Sequence, residues 1–472
     1  MTITLERRLA NFRAAAPVAT GGGLADAAIR ARVSAVGAER LAAEVDGELI
    51  HAPGGSFVRV ERRSILVALD RERLASLPGQ PPPDVPLLCL DTETTGLATA
   101  SGTLAFLVGL GWWEGDRFRQ VQLLLPDHAD EPALLDALRA HVPADGWLVT
   151  YNGRGFDWPL LVARYRMTRS GPPVHDGHLD LLPIVRRYFR HRMPNARLQT
   201  VETELLGLNR HDDVPGWEIP ARYLQFLRDG DPASLLAIVR HNEEDVRSLA
   251  RLLAHIDQRL ADPVARAGAP AGDLAGLACA LTASRRFCDA LECVEAALAG
   301  LDRQPALAPT APRPAAPPAE LHRVREDADP WWSPRRRPDF GGRQPVSGGH
   351  GTWSRVSPAQ LDAPWTADRL RAERARLLRR LRRFLEAEDA WLALTERGGI
   401  MGALAWVEIA KIREHRRRDP EAALAATLAA LRLVERSRFV GRALVGMERD
   451  LATRAARLRR RISRRVGDPA TT

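Results

Sequence analysis

Two carboxylates follow directly on a short apolar segment, and this arrangement limits the folds that the chain can adopt. The run Val85–Leu90 predicts a buried strand, and Asp91 and Glu93 continue it. Residues two apart in a strand point to the same face, so the two side chains are expected to lie next to each other. Two carboxylates held together away from water repel each other unless a cation lies between them. Oxygen ligands of this kind suit Mg²⁺ or Mn²⁺, so the segment predicts a metal site.

An Asp-x-Glu pair alone is also typical of a strand end with incidental acids, and the residues that follow help to separate the two interpretations. Thr94, Thr95 and Gly96 come directly after the pair, and this longer pattern is more specific than the acids alone. A second acid, Asp157, opens a predicted helix after the turn that follows Tyr151 and Asn152. A single acid in a first helical turn is usually a favourable dipole interaction. Its apolar neighbours favour an inward-facing position instead.

The third segment lies on a long predicted helix, where a histidine and an acid fall within an apolar stripe. The stripe has spacings of three and four residues and consists of Ile238, His241, Asp245, Leu249, Leu252 and Ile256. A His–Asp pair four residues apart on an exposed face is normally a weak solvated pair. Burying both groups without a partner is costly, and a metal-bound carboxylate beside a base would remove that cost.

The order of predicted elements indicates an α/β domain with a mixed sheet, followed by an all-α region of helical repeats. Strands are predicted over 85–90, 103–112, 118–125 and 147–151, and helices over 130–142, 156–167, 198–206 and 233–260. The predicted segments are an N-terminal extension with a possible β-hairpin (1–83), the α/β domain (84–262), a first helical repeat (263–302), a Pro/Gly/Arg-rich flexible linker (303–365), helical repeats with a basic capping helix (366–466) and a tail (467–472).

Three short segments in the C-terminal half resemble one another and predict helical hairpins. They begin at Arg285, Arg382 and Arg418, and Ala387 and Ala423 lie 36 residues apart. This spacing is close to a two-helix repeat of about 34 residues, so the segments resemble tetratricopeptide repeats. A generic array of helical hairpins is the alternative. Either array would present a concave surface, which predicts a possible protein partner.

Charge and composition exclude several classes of protein. The formal net charge is +9, and residues 366–472 alone carry +12, from 26 basic and 14 acidic residues. A basic C-terminal region is typical of contact with nucleic acid, although Lys411 is the only lysine, so biased composition is the alternative explanation. No apolar run approaches the roughly 20 residues that span a bilayer, so no membrane association is expected. Four cysteines do not form a disulfide framework, and a cytoplasmic location is expected.

At the three acidic segments the chain resembles the DEDD-type 3′–5′ exonucleases of the ribonuclease-H-like superfold. Asp91 and Glu93 fall on the first motif, Asp157 on the second and Asp245 on the third. The resemblance implies that these four acids hold two Mg²⁺ or Mn²⁺ ions and that His241 is the general base. In one subclass the base is a tyrosine, separated from the last acid by three residues. In the other it is a histidine, separated from that acid by four residues. His241 has three residues between, which combines the spacing of one subclass with the residue of the other.

A narrower resemblance, to the bacterial YprB-type ribonuclease-H-like domain, covers about residues 85–260. It is carried by His178-Leu-Asp180-Leu-Leu, by Arg197-Leu-Gln-Thr-Val-Glu202 and by Asp212-Asp-Val-Pro-Gly-Trp-Glu-Ile-Pro-Ala-Arg-Tyr223. Asp180 is therefore a candidate for an acid behind the metal ligands, with a structural hydrogen bond as the alternative. The candidates for nucleic-acid contacts are Thr94, Asn152, Phe156, Arg197 and Arg210, and a solvated or salt-bridged role is the alternative for the two arginines.

Together these features predict a metal-dependent 3′–5′ exonuclease that acts on the ends of single-stranded DNA or RNA. Two alternatives stay open from the sequence. One is a non-catalytic scaffold that binds nucleic acid through the α/β domain and a partner through the repeats. The other is an endonuclease, since a fold does not set the preference for ends.

Overall fold

The chain forms two compact units, Met1–Cys293 and Val294–Thr472. A computed structural model describes residues 35–96, 102–210, 213–303, 367–397, 399–439 and 445–466. Nearly all of the predicted linker, the first 34 residues and the predicted tail lie outside these ranges. None of the helices within them is both long and apolar enough to cross a bilayer.

The first unit is built on one seven-stranded sheet. Its strands are β1 (Glu48–Ala52), β2 (Gly55–Leu66), β3 (Leu87–Thr94), β4 (Ala105–Glu114), β5 (Arg117–Leu124), β6 (Trp147–Thr150) and β7 (Gly177–Asp180). They lie in the order β1-β2-β5-β4-β3-β6-β7. The pairs from β1 to β3 are antiparallel, whereas β3 pairs with β6, and β6 with β7, in parallel. The predicted mixed sheet with flanking helices, followed by a helical region, is confirmed.

Helices precede, separate and follow the strands of the sheet, and after β7 the described chain contains helices without further strands. Those of the sheet segment are α1 (35–44), α2 (Arg71–Ala75), α3 (Glu131–His141), α4 (Asp157–Met167), α5 (Leu181–Tyr188), α6 (Leu198–Val201), α7 (Ile219–Asp229) and α8 (Ala233–Ile256). The later helices are α9 (Pro263–Arg266), α10 (Ala271–Ala283), α11 (Phe287–Arg303), α12 (Ala367–Arg380), α13 (Phe384–Leu392), α14 (Gly399–His415), α15 (Pro420–Phe439) and α16 (Val445–Val466). Single π-helical turns, Glu202–Leu206 and Asp257–Ala261, extend α6 and α8.

The sheet extends across the boundary predicted between residues 83 and 84. The β1–β2 hairpin pairs through β2 with β5, with Val58 opposite Leu124. Side chains of α1, α3, α7 and α8 complete the same core, among them Leu41, Leu138 and Tyr223. The hairpin is therefore part of the sheet rather than a separate extension. Burial of this continuous apolar surface is the main stabilising contribution to the unit.

In the second unit each helix from α12 to α16 packs against the next one along the chain. A small core contains Ala403, Ala430, Val434, Met447 and Leu451. This is the arrangement expected of helical hairpins. The tetratricopeptide assignment, and a protein partner for this region, stay predictions.

Candidate metal centre

Strand β3 carries the first two acids from the core to the edge of the site. Its first half, Leu87–Leu90, is buried, and Asp91 and Glu93 follow on one face. Opposite Asp91, across the antiparallel pair with β4, lies Gly109. Strand β3 includes both carboxylates, so their spacing is fixed by the pleat of the sheet.

Helix α8 packs against β3 and β4, and Gly109 permits its close approach. A Cβ atom at Gly109 would lie 2.3 Å from Oδ1 of Asn242. The buried Asn242 donates from Nδ2 to Asp91 Oδ2 at 2.9 Å, and its Oδ1 accepts from Gln122 Nε2 at 2.9 Å. Asn242 therefore fixes the orientation of the Asp91 carboxylate. Asn242 was not among the predicted site residues, although its spacing of four from Ile238 and seven from Leu249 also places it on the buried stripe.

The same helix brings His241 and Asp245 to Glu93. The imidazole Nε2 lies 3.8 Å from Glu93 Oε1 and 3.6 Å from Asp245 Oδ2. One ligand atom from each of the three residues lies within 4.8 Å of the others, which is a spacing that one cation can bridge. The histidine and the acid predicted from the apolar stripe are thus brought together with the acid predicted from the strand.

The other imidazole nitrogen of His241 contacts Asp213, which lies in the segment 212–223 that resembles the YprB-type domain and for which no role was predicted. Nδ1 lies 2.5 Å from Asp213 Oδ1. A carboxylate accepts hydrogen bonds, so the contact favours the tautomer of the neutral ring that carries its proton on Nδ1, with the lone pair of Nε2 on the side of Glu93 and Asp245. A contact of this kind fixes both the tautomer and the plane of the ring.

Arg210 joins this group from the segment that follows α6. Its guanidinium contacts Asp245 and the buried Glu202, and it lies 3.7 Å from Asp213 Oδ2. Glu202 in turn accepts from the hydroxyl of Ser248 on α8. The arginine proposed for phosphate contact is therefore one of the charges that balance the acids of the site.

Asp157 reaches the site from the other neighbour of β3. It is the first residue of α4, which follows β6, and its Oδ1 accepts from the hydroxyl of Thr92 at 2.5 Å. Thr92 lies between Asp91 and Glu93 on β3. Burial raises the pKa of Asp157 to about 6 in spite of this hydrogen bond.

The electrostatics of the acids favour a bound cation. Burial raises the pKa values of Asp91 and Glu93 well above their usual range, and the charges of Asp245 and Asp157 raise them further. Several buried carboxylates that repel one another are unfavourable when all are ionised. Their oxygen atoms form a donor set that fits Mg²⁺ or Mn²⁺. The residues present therefore fit the predicted metal.

The remaining candidates differ in their contacts and in their exposure. Asp180 caps α5 through the amide of Leu182 at 3.1 Å and accepts from the amide of Asn152 at 2.8 Å, which is the structural role given as its alternative. Thr94 donates to the carbonyl of Gly96 at 2.7 Å. Phe156, next to Asp157, is 55% exposed. Arg197 is exposed at the start of α6.

Residues 88–257 match a family described as the RNase_H superfamily. The mixed sheet and the acids at the end of β3 agree with that match, so this segment is a ribonuclease-H superfamily domain. Such domains generally use divalent metal ions, and the match supports a hydrolase that acts on nucleic acids. The chain is also 39% identical over 176 residues to the uncharacterized protein YprB of Bacillus subtilis (strain 168). The alignment spans 37% of this chain and 42% of YprB, and it confirms the resemblance to the YprB-type domain.

Proposed function

We propose that this protein is a metal-dependent 3′–5′ exonuclease that hydrolyses phosphodiester bonds at the ends of single-stranded DNA or RNA. One observation supports the proposal: Glu93, His241 and Asp245 lie close enough for one cation to bridge them, and the charges of Asp91 and Asp157 act on the same group of carboxylates. All four acids expected of the DEDD-type enzymes are present, and the proposed base, His241, combines the spacing of one subclass with the residue type of the other. The 3′–5′ polarity rests on that resemblance.

The four carboxylates would hold two Mg²⁺ or Mn²⁺ ions through their oxygen atoms. When bound, the ions supply positive charge to the scissile phosphate and lower the pKa of the attacking water. Asn242 keeps one oxygen of Asp91 engaged, and Thr92 does the same for Asp157. These contacts fix the orientation of both carboxylates.

His241 would accept the proton of the attacking water at Nε2. Asp213 favours this role because its contact with Nδ1 directs the lone pair of the neutral ring to Nε2 and stabilises the imidazolium that forms. Asp213 is therefore proposed as the residue that positions the base. Arg210 and Arg197 are the proposed phosphate contacts, and phosphate binding by Arg210 would exchange part of its contact with Asp245.

A paired nuclease assay tests the proposal. The purified chain, its Asp91→Asn variant and an Asp136→Asn control would be incubated with Mg²⁺ or Mn²⁺ and single-stranded DNA or RNA labelled at either end. Asp136 is an exposed acid on α3. We expect early release of a 3′ label, a ladder from the 5′-labelled strand, no cleavage by Asp91→Asn and full activity in the control.

The pattern of products separates the alternatives. Internal fragments from both labels would indicate an endonuclease on the same fold. Cleavage that survives Asp91→Asn in a pure preparation would refute the proposed site. No cleavage of any strand, with Mn²⁺ binding shown by calorimetry, would favour a binding protein without catalysis.

A further inference from the structure

Two aromatic side chains are exposed, and both are neighbours of the metal centre in the chain. Among the Phe, Trp and Tyr side chains that the structure describes, only Phe156 and Trp217 fall in the exposed class, and Trp217 is 73% exposed. Phe156 directly precedes Asp157. Trp217 follows Asp213, the partner of His241, by four residues.

The segment around Trp217 is fixed on both sides, so the indole is presented to solvent by an ordered loop. Val214 and Ile219 are buried in the core of the sheet unit. Between them the amide of Glu218 donates to the carbonyl of Pro215 at 2.8 Å and closes a turn. Four residues of chain reach at most about 14 Å, so Trp217 lies within that distance of Asp213, measured between Cα atoms.

The two rings are carried by different segments of the chain, each next to a residue of the centre. Phe156 lies at the start of α4, which follows β6. Trp217 lies in the segment that begins at Asp213, and Asp213 contacts His241 on α8. Helix α8 in turn packs against β3 and β4. Two segments that supply residues of the centre, Asp157 and Asp213, therefore also present an exposed ring to a nucleic-acid strand bound at the acids.

A cavity beside the His241–Asp213 pair gives such a strand room to leave the centre. Its volume is about 600 Å³, and its lining includes Asp213, His241 and the exposed Arg240. This volume is within the range of ligand sites in proteins. Trp217 lies outside the lining, a few residues beyond Asp213.

We propose that Trp217 is a stacking platform for an unpaired base of a single-stranded nucleic acid bound at the metal centre. This inference rests on the proposed function. An exposed indole offers a flat face to any base, whereas bases in a duplex are already stacked on one another. The ring therefore favours single strands and does not distinguish one base from another.

Binding measurements on uncleaved strands test the proposal. The full-length Asp91→Asn chain, with and without Trp217→Ala or Trp217→Phe, would be titrated into fluorescein-labelled oligo(dT) or oligo(rU) with Mg²⁺, and anisotropy recorded. Trp217→Ala removes the ring on which one base would stack, and this is expected to weaken binding about 5- to 150-fold. Trp217→Phe should lose less, since it keeps a smaller ring. The matched control is Leu66→Ala, which removes an exposed apolar side chain from β2.

A second strand shows whether the lost affinity comes from a base. With abasic sites near the 3′ end, Trp217→Ala and its parent should bind equally, because no base remains to stack. Equal affinities of the two proteins for the intact strand would overturn the inference while leaving the exonuclease proposal in place. If the parent binds no strand and the wild-type chain cleaves none, both proposals fail.

Discussion

Asp157 makes the stability of the metal-free protein depend on pH. Its pKa in the folded chain is raised to about 6 by burial, above its ordinary value of 3.8. The folded state thus binds this proton more tightly than the unfolded state does. The resulting stabilisation is complete below about pH 4 and is lost as the pH rises through 6, by on the order of 3 kcal/mol.

The comparison that isolates this effect is wild type against Asp157→Asn in EDTA, by urea unfolding at pH 5 and pH 7.5. The variant is expected to gain stability relative to wild type at pH 7.5, and the difference should shrink at pH 5. Mn²⁺ at pH 7.5 should stabilise the wild type only. A difference between the two proteins that is the same at both pH values would contradict the assignment of the raised pKa.

At this scale the sequence predicted the groups that carry charge but not the groups that orient them. Asp91, Glu93, Asp157, Asp245 and His241 stand out because acids and a histidine interrupt apolar patterns. Their partners are ordinary residue types. Asn242 is the partner of Asp91, Asp213 that of His241, and Thr92 that of Asp157. Hydrogen bonds between residues far apart in the chain leave no periodic signal in the sequence.

Gly109 determines how closely helix α8 approaches the sheet. In Gly109→Ala the new methyl group would lie 2.3 Å from Asn242 Oδ1 and 2.7 Å from Val246 Cγ2. We expect α8 to be displaced, with a loss of about 1–3 kcal/mol in the free energy of unfolding. Because Asn242 also holds Asp91, Mn²⁺ affinity should fall as well. Urea unfolding and calorimetric titration measure the two effects.

Gly216→Ala is the matched control, since a Cβ atom there meets no neighbour within 4 Å. It should leave both measurements unchanged. A Gly109→Ala protein with wild-type Mn²⁺ affinity would show that the distance between α8 and β4 does not control the metal centre.

Elements were predicted well where a periodic pattern of apolar residues continues over many positions. The helix predicted over 233–260 corresponds to α8 and its π-helical turn, and 198–206 to α6 and its turn. The elements β7, α5 and α7 were not predicted, and for β7 the reason is that four residues carry little periodicity.

The three related segments of the C-terminal half share a backbone feature that the sequence comparison could not show. Arg285, Arg382 and Arg418 all have positive φ, at 62°, 62° and 55°. Each is followed five residues later by a fully buried alanine: Ala290, Ala387 and Ala423. A left-handed residue ends one helix and a small residue lets the next one pack closely. This recurrence supports a common hairpin unit.

The division into two units separates the effects of core mutations at the level of the whole molecule. Trp391 is fully buried in α13, in the second unit, with the guanidinium of Arg376 over its ring at 5.9 Å. Trp391→Ala should destabilise that unit by about 3–5 kcal/mol. All ligands of the proposed metal centre lie in the first unit, so Mn²⁺ affinity should stay the same.

Unfolding monitored by circular dichroism, with calorimetry for Mn²⁺, distinguishes the two effects. Leu385→Ala, which shortens an exposed side chain in the same helix, is the control and should alter neither. A loss of Mn²⁺ binding in folded Trp391→Ala would contradict the separation of the two units.

At the scale of the whole molecule, the extent of the sheet could not be predicted from the sequence. The Pro-rich segment 80–84 indicated a boundary, yet the chain on both sides of it contributes strands to one sheet. The pairing of β2 with β5 joins residues about 60 positions apart, and nothing local in either strand specifies its partner.

The position of Asp91 and Glu93 on a paired strand, rather than in a loop, has a consequence for how such a site can change over generations. Every residue of β3 from Cys89 to Glu93 has a partner on β4. One residue inserted or deleted before Asp91 would turn both carboxylates to the other face of the sheet at once. Descendants of this chain can therefore exchange single ligands by substitution, but a length change in β3 removes the pair together. Variation in chain length is expected to accumulate in the connections and to spare this strand.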